Sequence, residues 1–382
     1  MPEITLKGIT WGHSRGITPL LAAAQRYSEV HPEIQITWTK RSLQEFADFP
    51  IEKLTETYDL LIIDHPWVGC AAANKTVLPL DQFLPEAYLA DQQANSVGYS
   101  HLSYHYGGHQ WALAIDAATP AASYRADLLA AHRCPVPDTW EALLALADEG
   151  RVAVPAIPID LLMTFYSFCL AYGQAPFLQE TEVIAPHTGL QALAAMRELY
   201  SRVHPRFFSC NPIAVAELMS STDDYWYCPF AYGYSNYARD GYADHLLTYT
   251  DVIRFGAHGR MQTTVGGTGL AVSAATRHRE AALHFAQWLV SPQMQATFYV
   301  QHGGQPGHRQ AWLDEAANHL CHDFFRAVLP VLERGYIRPR YNGYLHFQDH
   351  AGDPLQRYLQ QGGSPEAVLA EMNRIYRESR SR

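Results

Sequence analysis

The sequence predicts an α/β fold in two lobes, and three observations carry the prediction. The chain has 382 residues, more than one hydrophobic core ordinarily organises. Its first hundred residues alternate strand-like and helix-like patterns, as expected of doubly wound sheets covered by helices. After a long middle segment the same alternation resumes near Gly266.

The elements follow in order. Ile4 to Trp11 reads as a strand. Thr18-Pro19 supplies an N-cap and a proline at the first helical position, and Leu20, Leu21, Ala24 and Tyr27 form an apolar stripe that stops before Pro32. Ile34, Ile36 and Trp38 alternate as a second strand. Leu60-Leu61-Ile62-Ile63 is the unbroken apolar run of a parallel strand buried on both faces. The middle segment begins near Ala117. Its clearest helix follows Pro137, with Asp138 as cap, Glu141 three residues on, Leu143, Leu144 and Leu146 inward, and Gly150 as stop. A strand over Leu270 to Ser273 precedes a helix over 277–290, with Leu283, Ala286 and Leu289 on one face. Ser291-Pro292 then opens a further helix that ends at Gly303-Gly304.

Composition removes several function classes. Hydrophobic residues make up 48% and charged residues 17%, which suits a packed core and not a disordered chain. The net charge is -10, and no stretch interleaves Lys or Arg with aromatic residues, so no nucleic-acid partner is expected. The six cysteines, at 70, 134, 169, 210, 228 and 321, include no Cys-x-x-Cys pair. They imply neither a zinc module nor a disulfide framework. The most apolar window, residues 60–73, is broken by Asp64, His65 and Pro66, which rules it out as a membrane helix. Met1-Pro2-Glu3 leads directly into a strand pattern without a basic and then apolar leader. As it stands the chain reads as cytoplasmic, or as periplasmic if a leader has been trimmed.

The order of segments resembles the family 1 extracellular solute-binding proteins, the receptors of sugar-type ABC importers. YSEVHPEIQITW at 27–38 is similar to the family's helix and "yP-x-I-x-V" strand. YDLLIIDHPWVG with the later VLPLDQF resembles the strand that opens onto the ligand and its "G-x-L-x-P-L-D" continuation. Residues 106–129 resemble "G-x-x-Y-x-L-P" followed by "Y-N-x-D-L", although Ala114 replaces the proline and Arg125 the asparagine. PDTWEALLALA resembles "P-x-T-W-x-E-L". GGTGLAVSAATRHREAALHFAQWLVSPQMQATFYVQHGGQP at 266–306 is the most specific phrase.

The resemblance implies a periplasmic-binding-protein-like fold of type II: two doubly wound α/β lobes joined by a multi-strand hinge and closing on a ligand. It sets lobe 1 at 1–116 plus 267–310 and lobe 2 at 117–266 plus 311–382. It also implies a sugar, polyol or sugar acid as ligand, an ABC permease as partner if the protein is exported, a monomeric state and no cofactor.

Candidate ligand-binding residues lie where strands deliver their carboxyl ends to loops. Trp11, His13, Ser14 and Arg15 follow the first strand, and Arg15 suits a ligand carboxylate. Asp64, His65 and Trp67 follow the apolar strand, where Trp67 could stack on a sugar face. Asp116 lies at the first lobe crossing and could accept two hydroxyl hydrogens. The aromatic stretch 225–237 is expected to place one or two rings toward ligand, with Tyr232 at the matching position. Gly267 and Thr268 permit close backbone approach. A core role or a solvated loop would explain several of these residues as well.

His101, His105 and His109 recur every four residues, but Gly107-Gly108 interrupts any helix that would align them, so no metal is expected. No nucleophile elbow, His-Glu-x-x-His or phosphate loop occurs, and nothing demands an enzyme. The alternative is a cytoplasmic protein of the same fold acting as a metabolic enzyme or sensor, because a fold does not determine function.

Overall fold

The computed structural model describes residues 3–41 and 51–381. Met1 and Pro2, where the reading of the amino terminus starts, lie outside the described residues. The strands of three or more residues run β1 (Ile4–Trp11), β2 (Ile34–Arg41), β3 (Leu60–Ile63), β4 (Leu113–Ala118), β5 (Pro120–Tyr124), β6 (Tyr227–Tyr232), β7 (Thr248–Thr250) and β8 (Gly266–Val272). The principal helices are α1 (Ser14–Val30), α2 (Trp140–Asp148), α3 (Pro158–Ala171), α4 (Pro186–Tyr200), α5 (Pro212–Ser221), α6 (Arg279–Leu289), α7 (Gly352–Gln361) and α8 (Pro365–Arg380). Two compact units result, one of Met1–Ala118 with Val265–Leu329 and one of Thr119–Thr264 with Pro330–Arg382.

The first unit is built on a five-stranded sheet of order β2-β1-β3-β8-β4. β1 runs parallel to β2, from Ile4 opposite Ile34 to Trp11 opposite Arg41, and parallel to β3. β8 is antiparallel to both β3 and β4, so this α/β sheet is mixed. All four residues of β3 are buried, as a central apolar run requires. α1 starts one turn before the Thr18-Pro19 signal: the His13 side chain caps it, and Pro19 sits inside the helix. Histidine stands outside the usual capping residues, which is why sequence patterns favour the later start.

The carboxyl-terminal boundary of this unit lies at Leu329, where the sequence places it near 310. The side chains in between explain the extension. Trp312 is wholly buried, its Nε1 donates to the Pro306 carbonyl at 2.7 Å, and its ring meets Phe325 at 5.0 Å. The Ser291-Pro292 helix start is formed as read, with the Ser291 hydroxyl accepting from the Met294 N–H.

Gly267, opposite Ala117 in the ladder of β8 and β4, has φ +88°. A Cβ placed there would lie 2.2 Å from the Asp116 carbonyl oxygen, which is backbone and unable to swing aside. Gly267→Ala is therefore expected to destabilise the protein by on the order of 3 kcal/mol, combining a left-handed alanine with a backbone collision. Urea unfolding at 25 °C checks this, and a loss of under about 0.5 kcal/mol would mean that β8 yields at that point.

The second unit carries a three-stranded antiparallel sheet of order β6-β5-β7 and is otherwise mostly helical. The chain at Val152 adds an isolated parallel bridge to Tyr227 at the start of β6. α2 is capped by Thr139, one residue after the expected Asp138. It buries Leu143 and Leu146, leaves Leu144 half-buried, and is followed by Gly150 at φ +73°. α3 is apolar nearly all round and packs against α4 and α7, as a helix buried on most of its surface must. Proline at the first helical position opens α3, α4, α5 and α8. Asn211 caps α5 and Ser364 caps α8.

Candidate functional site

In the first unit the carboxyl ends of the parallel strands β1 and β3 bring two loops forward. The end of β1 forms a layered group. The Trp11 indole lies against Gly16, where a Cβ would come within 2.5 Å of the ring. The His13 ring stacks on Trp11 at 5.6 Å with 13° between the planes, and the Arg15 guanidinium carbon lies 5.5 Å from the Trp11 ring centre. His13 Nδ1 accepts from the Arg15 N–H at 3.0 Å, which places the ring proton on Nε2. Burial, and then the neighbouring Arg15 charge, lower the His13 pKa to about 4, so the ring is neutral at pH 7. Ser14 is half-buried beside it.

Arg15 and Asp116 form a forked pair inside this unit. Arg15 Nε donates to Asp116 Oδ2 at 2.9 Å, its second nitrogen donates to Oδ1, and both side chains are at least 96% buried. Burial pushes the Asp116 carboxyl above its usual range while Arg15 pulls it back. The guanidinium keeps its proton in any protein and so favours the carboxylate. The expectation that Arg15 would meet a ligand carboxylate and Asp116 a ligand's hydroxyls meets a different arrangement: the two residues hold each other.

At the end of β3, Asp64 caps a short turn by accepting from the His65 N–H at 2.9 Å, and Asp64 remains partly exposed. His65 is fully buried and meets Tyr104 edge-on at 6.3 Å. Trp67 is 6% exposed, so little of its ring is accessible for stacking. Thr268 is also buried, next to Gly267 in β8. His101, His105 and His109 do not converge: His101 is in a one-turn helix and the others in a two-residue hairpin, where His109 Nδ1 lies 2.8 Å from Asp81.

The second unit holds a small pocket of its own, with about 10 Å³ of enclosed space, room for one water-sized group. It is lined by Pro120 of β5, Pro155, Asp160, Met163, Thr164 and Ser167, with Phe230, Ala231 and Tyr232 of β6. Tyr232, half-buried, donates or accepts through its hydroxyl with Thr264 Oγ1 at 2.8 Å. Phe230 and Tyr232 are the two rings of the aromatic stretch on this wall; Phe230 is buried, as are Tyr225, Trp226, Tyr227, Tyr234 and Tyr237, and only Tyr232 is half-buried.

Asp160 is the residue that sequence reasoning passed over. It occupies the first turn of α3, where the helix dipole favours an anion. Burial nevertheless dominates and raises its pKa to about 8. Its Oδ2 is buried with no hydrogen-bond partner. The available signal was a single charge within the apolar run PIDLLMTFYSFCLA, since a lone acid in a buried helix is rarely without purpose.

A family model described as a bacterial extracellular solute-binding protein matches residues 25–315. Solved structures agree in fold. Maltose-bound MalE3 of T. maritima is 16% identical, with 98% of this chain and 99% of that one covered and a TM-score of 0.85. An ABC transporter solute-binding protein from Agrobacterium radiobacter K84, in complex with ribitol, is 20% identical, with 99% and 100% covered and a TM-score of 0.82. The GacH receptor of Streptomyces glaucescens, solved unliganded and with acarbose, is 16% identical, with 99% of each chain covered and a TM-score of 0.81. No curated protein matches the chain by sequence.

Proposed function

We infer, from the premise that the chain belongs to the bacterial extracellular solute-binding protein family, that it is the receptor of an ABC importer and binds a sugar or polyol. The family match carries this reading. The maltose and ribitol complexes of its structural neighbours support the ligand class, and so does the half-buried ring of Tyr232 beside an acid and two hydroxyls, since aromatic faces cover C–H surfaces while polar atoms meet ligand hydroxyls. A sugar acid is less well supported, because Arg15, its intended partner, is held by Asp116. The reading places the protein outside the cytoplasm as a monomer that delivers its ligand to a membrane permease. No described helix is long and apolar enough to cross a membrane itself.

A thermal-shift panel of maltose, maltotriose, ribitol and tagatose tests the proposal. A ligand present at a hundred times its dissociation constant adds about 2.7 kcal/mol of stability, so a true ligand moves the melting temperature by several degrees. A flat response across neutral sugars and polyols would remove the ligand class.

A further inference from the structure

Within the second unit, the pocket beside Tyr232 contains one acid and no base. Its lining has five apolar residues, Pro120, Pro155, Met163, Phe230 and Ala231, together with the hydroxyls of Thr164, Ser167 and Tyr232. No Lys, Arg or His is among them. The acid, Asp160, is 6% exposed, and its Oδ2 is buried without a hydrogen-bond partner. Asp160 bears in turn on Tyr200 and Cys228, both wholly buried, with ionisation pushed up chiefly by burial. Among the described residues no cation offsets it: burial is the one cause of its raised pKa.

We propose that Asp160 binds an amino group, so that the solute is a hydroxylated amine such as an amino sugar or aminopolyol. This rests on the sugar-or-polyol reading above and narrows it. An ammonium brings the missing charge and three N–H donors, which suit the Asp160 carboxylate and the hydroxyl oxygens nearby. Its carbon neighbours can lie against the half-buried ring of Tyr232, where a cation is also favoured. A neutral polyol can meet this acid through hydroxyl hydrogen bonds but brings no charge to offset its ionisation, which an ammonium does.

The proton balance follows from the burial of Asp160, which keeps the ligand-free acid protonated near neutral pH. When an ammonium enters, Asp160 loses its proton to solvent and the carboxylate pairs with the ammonium, releasing one proton for each ligand bound. Amine affinity should therefore rise with pH up to about 8, by at most tenfold per pH unit, while neutral ligands respond little.

The test uses 1-amino-1-deoxyglucitol, glucitol and gluconate, with glucosamine and glucose as the ring pair, titrated calorimetrically at pH 6, 7 and 9 in buffers of different ionisation heat. The expected result is that each amine binds at least tenfold more tightly than its neutral partner. Proton release should approach one at pH 6 and fall as pH passes the pKa of Asp160 and of the amine itself, and Asp160→Asn should abolish the amine preference, leaving each amine no tighter than its neutral partner. If the neutral members bind as well as the amines, or the preference survives in Asp160→Asn, the inference fails and the sugar-or-polyol reading stands. If none of the probes binds, and the neutral panel is also silent, both readings fall together.

Discussion

Asp160→Asn is expected to be more stable than the parent protein at pH 9 by on the order of 5 kcal/mol, and nearly equal to it at pH 4. The parent acid has its pKa raised by burial from 3.8 to about 8, so ionising it in the folded state is costly at 1.36 kcal/mol for each pH unit of displacement. Below about pH 4 the group is protonated in both folded and unfolded chains and leaves stability unchanged. As pH rises from 4 to 8 the unfolded chain gives up this proton and the folded chain does not, so the contribution of the raised pKa is progressively lost. Asparagine has the same shape and no such loss. Urea unfolding of both proteins at pH 4, 7 and 9 reads the gap directly. Two curves that stay parallel across this range would mean that Asp160 is ionised in the native protein with a partner that stabilises it.

Asp116→Ala is expected to lose about 3–5 kcal/mol, the usual penalty for leaving a buried charge without its partner. Arg15 makes its forked contact with Asp116 and is 3% exposed, so removing Asp116 takes away the carboxylate that compensates its charge. The double variant Arg15→Met with Asp116→Leu should recover most of the loss, because replacing a buried pair by apolar side chains of similar volume is often neutral or better. Equilibrium unfolding of the parent, Arg15→Met, Asp116→Leu and the double variant forms a complete cycle. Strict additivity would show that the pair contributes nothing as a pair, and a small loss in both single variants would show that water reaches the site when one partner is missing. This pair also bears on the ligand, since a guanidinium already held by two carboxylate oxygens is a weaker candidate for a solute's carboxylate than a solvated one.

The parts of this protein that were legible in the sequence are those governed by local periodicity and by motif order. β1 over Ile4–Trp11, the buried run of β3 and the start at Ser291-Pro292 each follow from side-chain patterns within a few residues. The family, too, could be recognised from short phrases in a fixed order, and its model matches residues 25–315. The start of α1 was misplaced because the ring nitrogen of His13 performs the capping that Thr18 was expected to provide. The lobe boundary near 310 moved to Leu329 because Trp312 and Phe325 pack into the first unit, a long-range preference that periodicity does not register.

The sequence by itself determined the α/β class, the resumption of strand and helix after a long middle segment, and the residue types available near the strand ends. Only the tertiary structure decided which of those residues are committed to one another. Arg15 and Asp116 are 101 residues apart and become a buried pair because β1 and β4 lie in the same sheet. Asp160 acquires its unusual acidity because the surrounding chain removes water from it and supplies no cation. The physical reason is common to both: the charge state and partners of a polar group are set by burial and by neighbours distant in sequence, whereas local pattern reports only the group's identity and its place on an element.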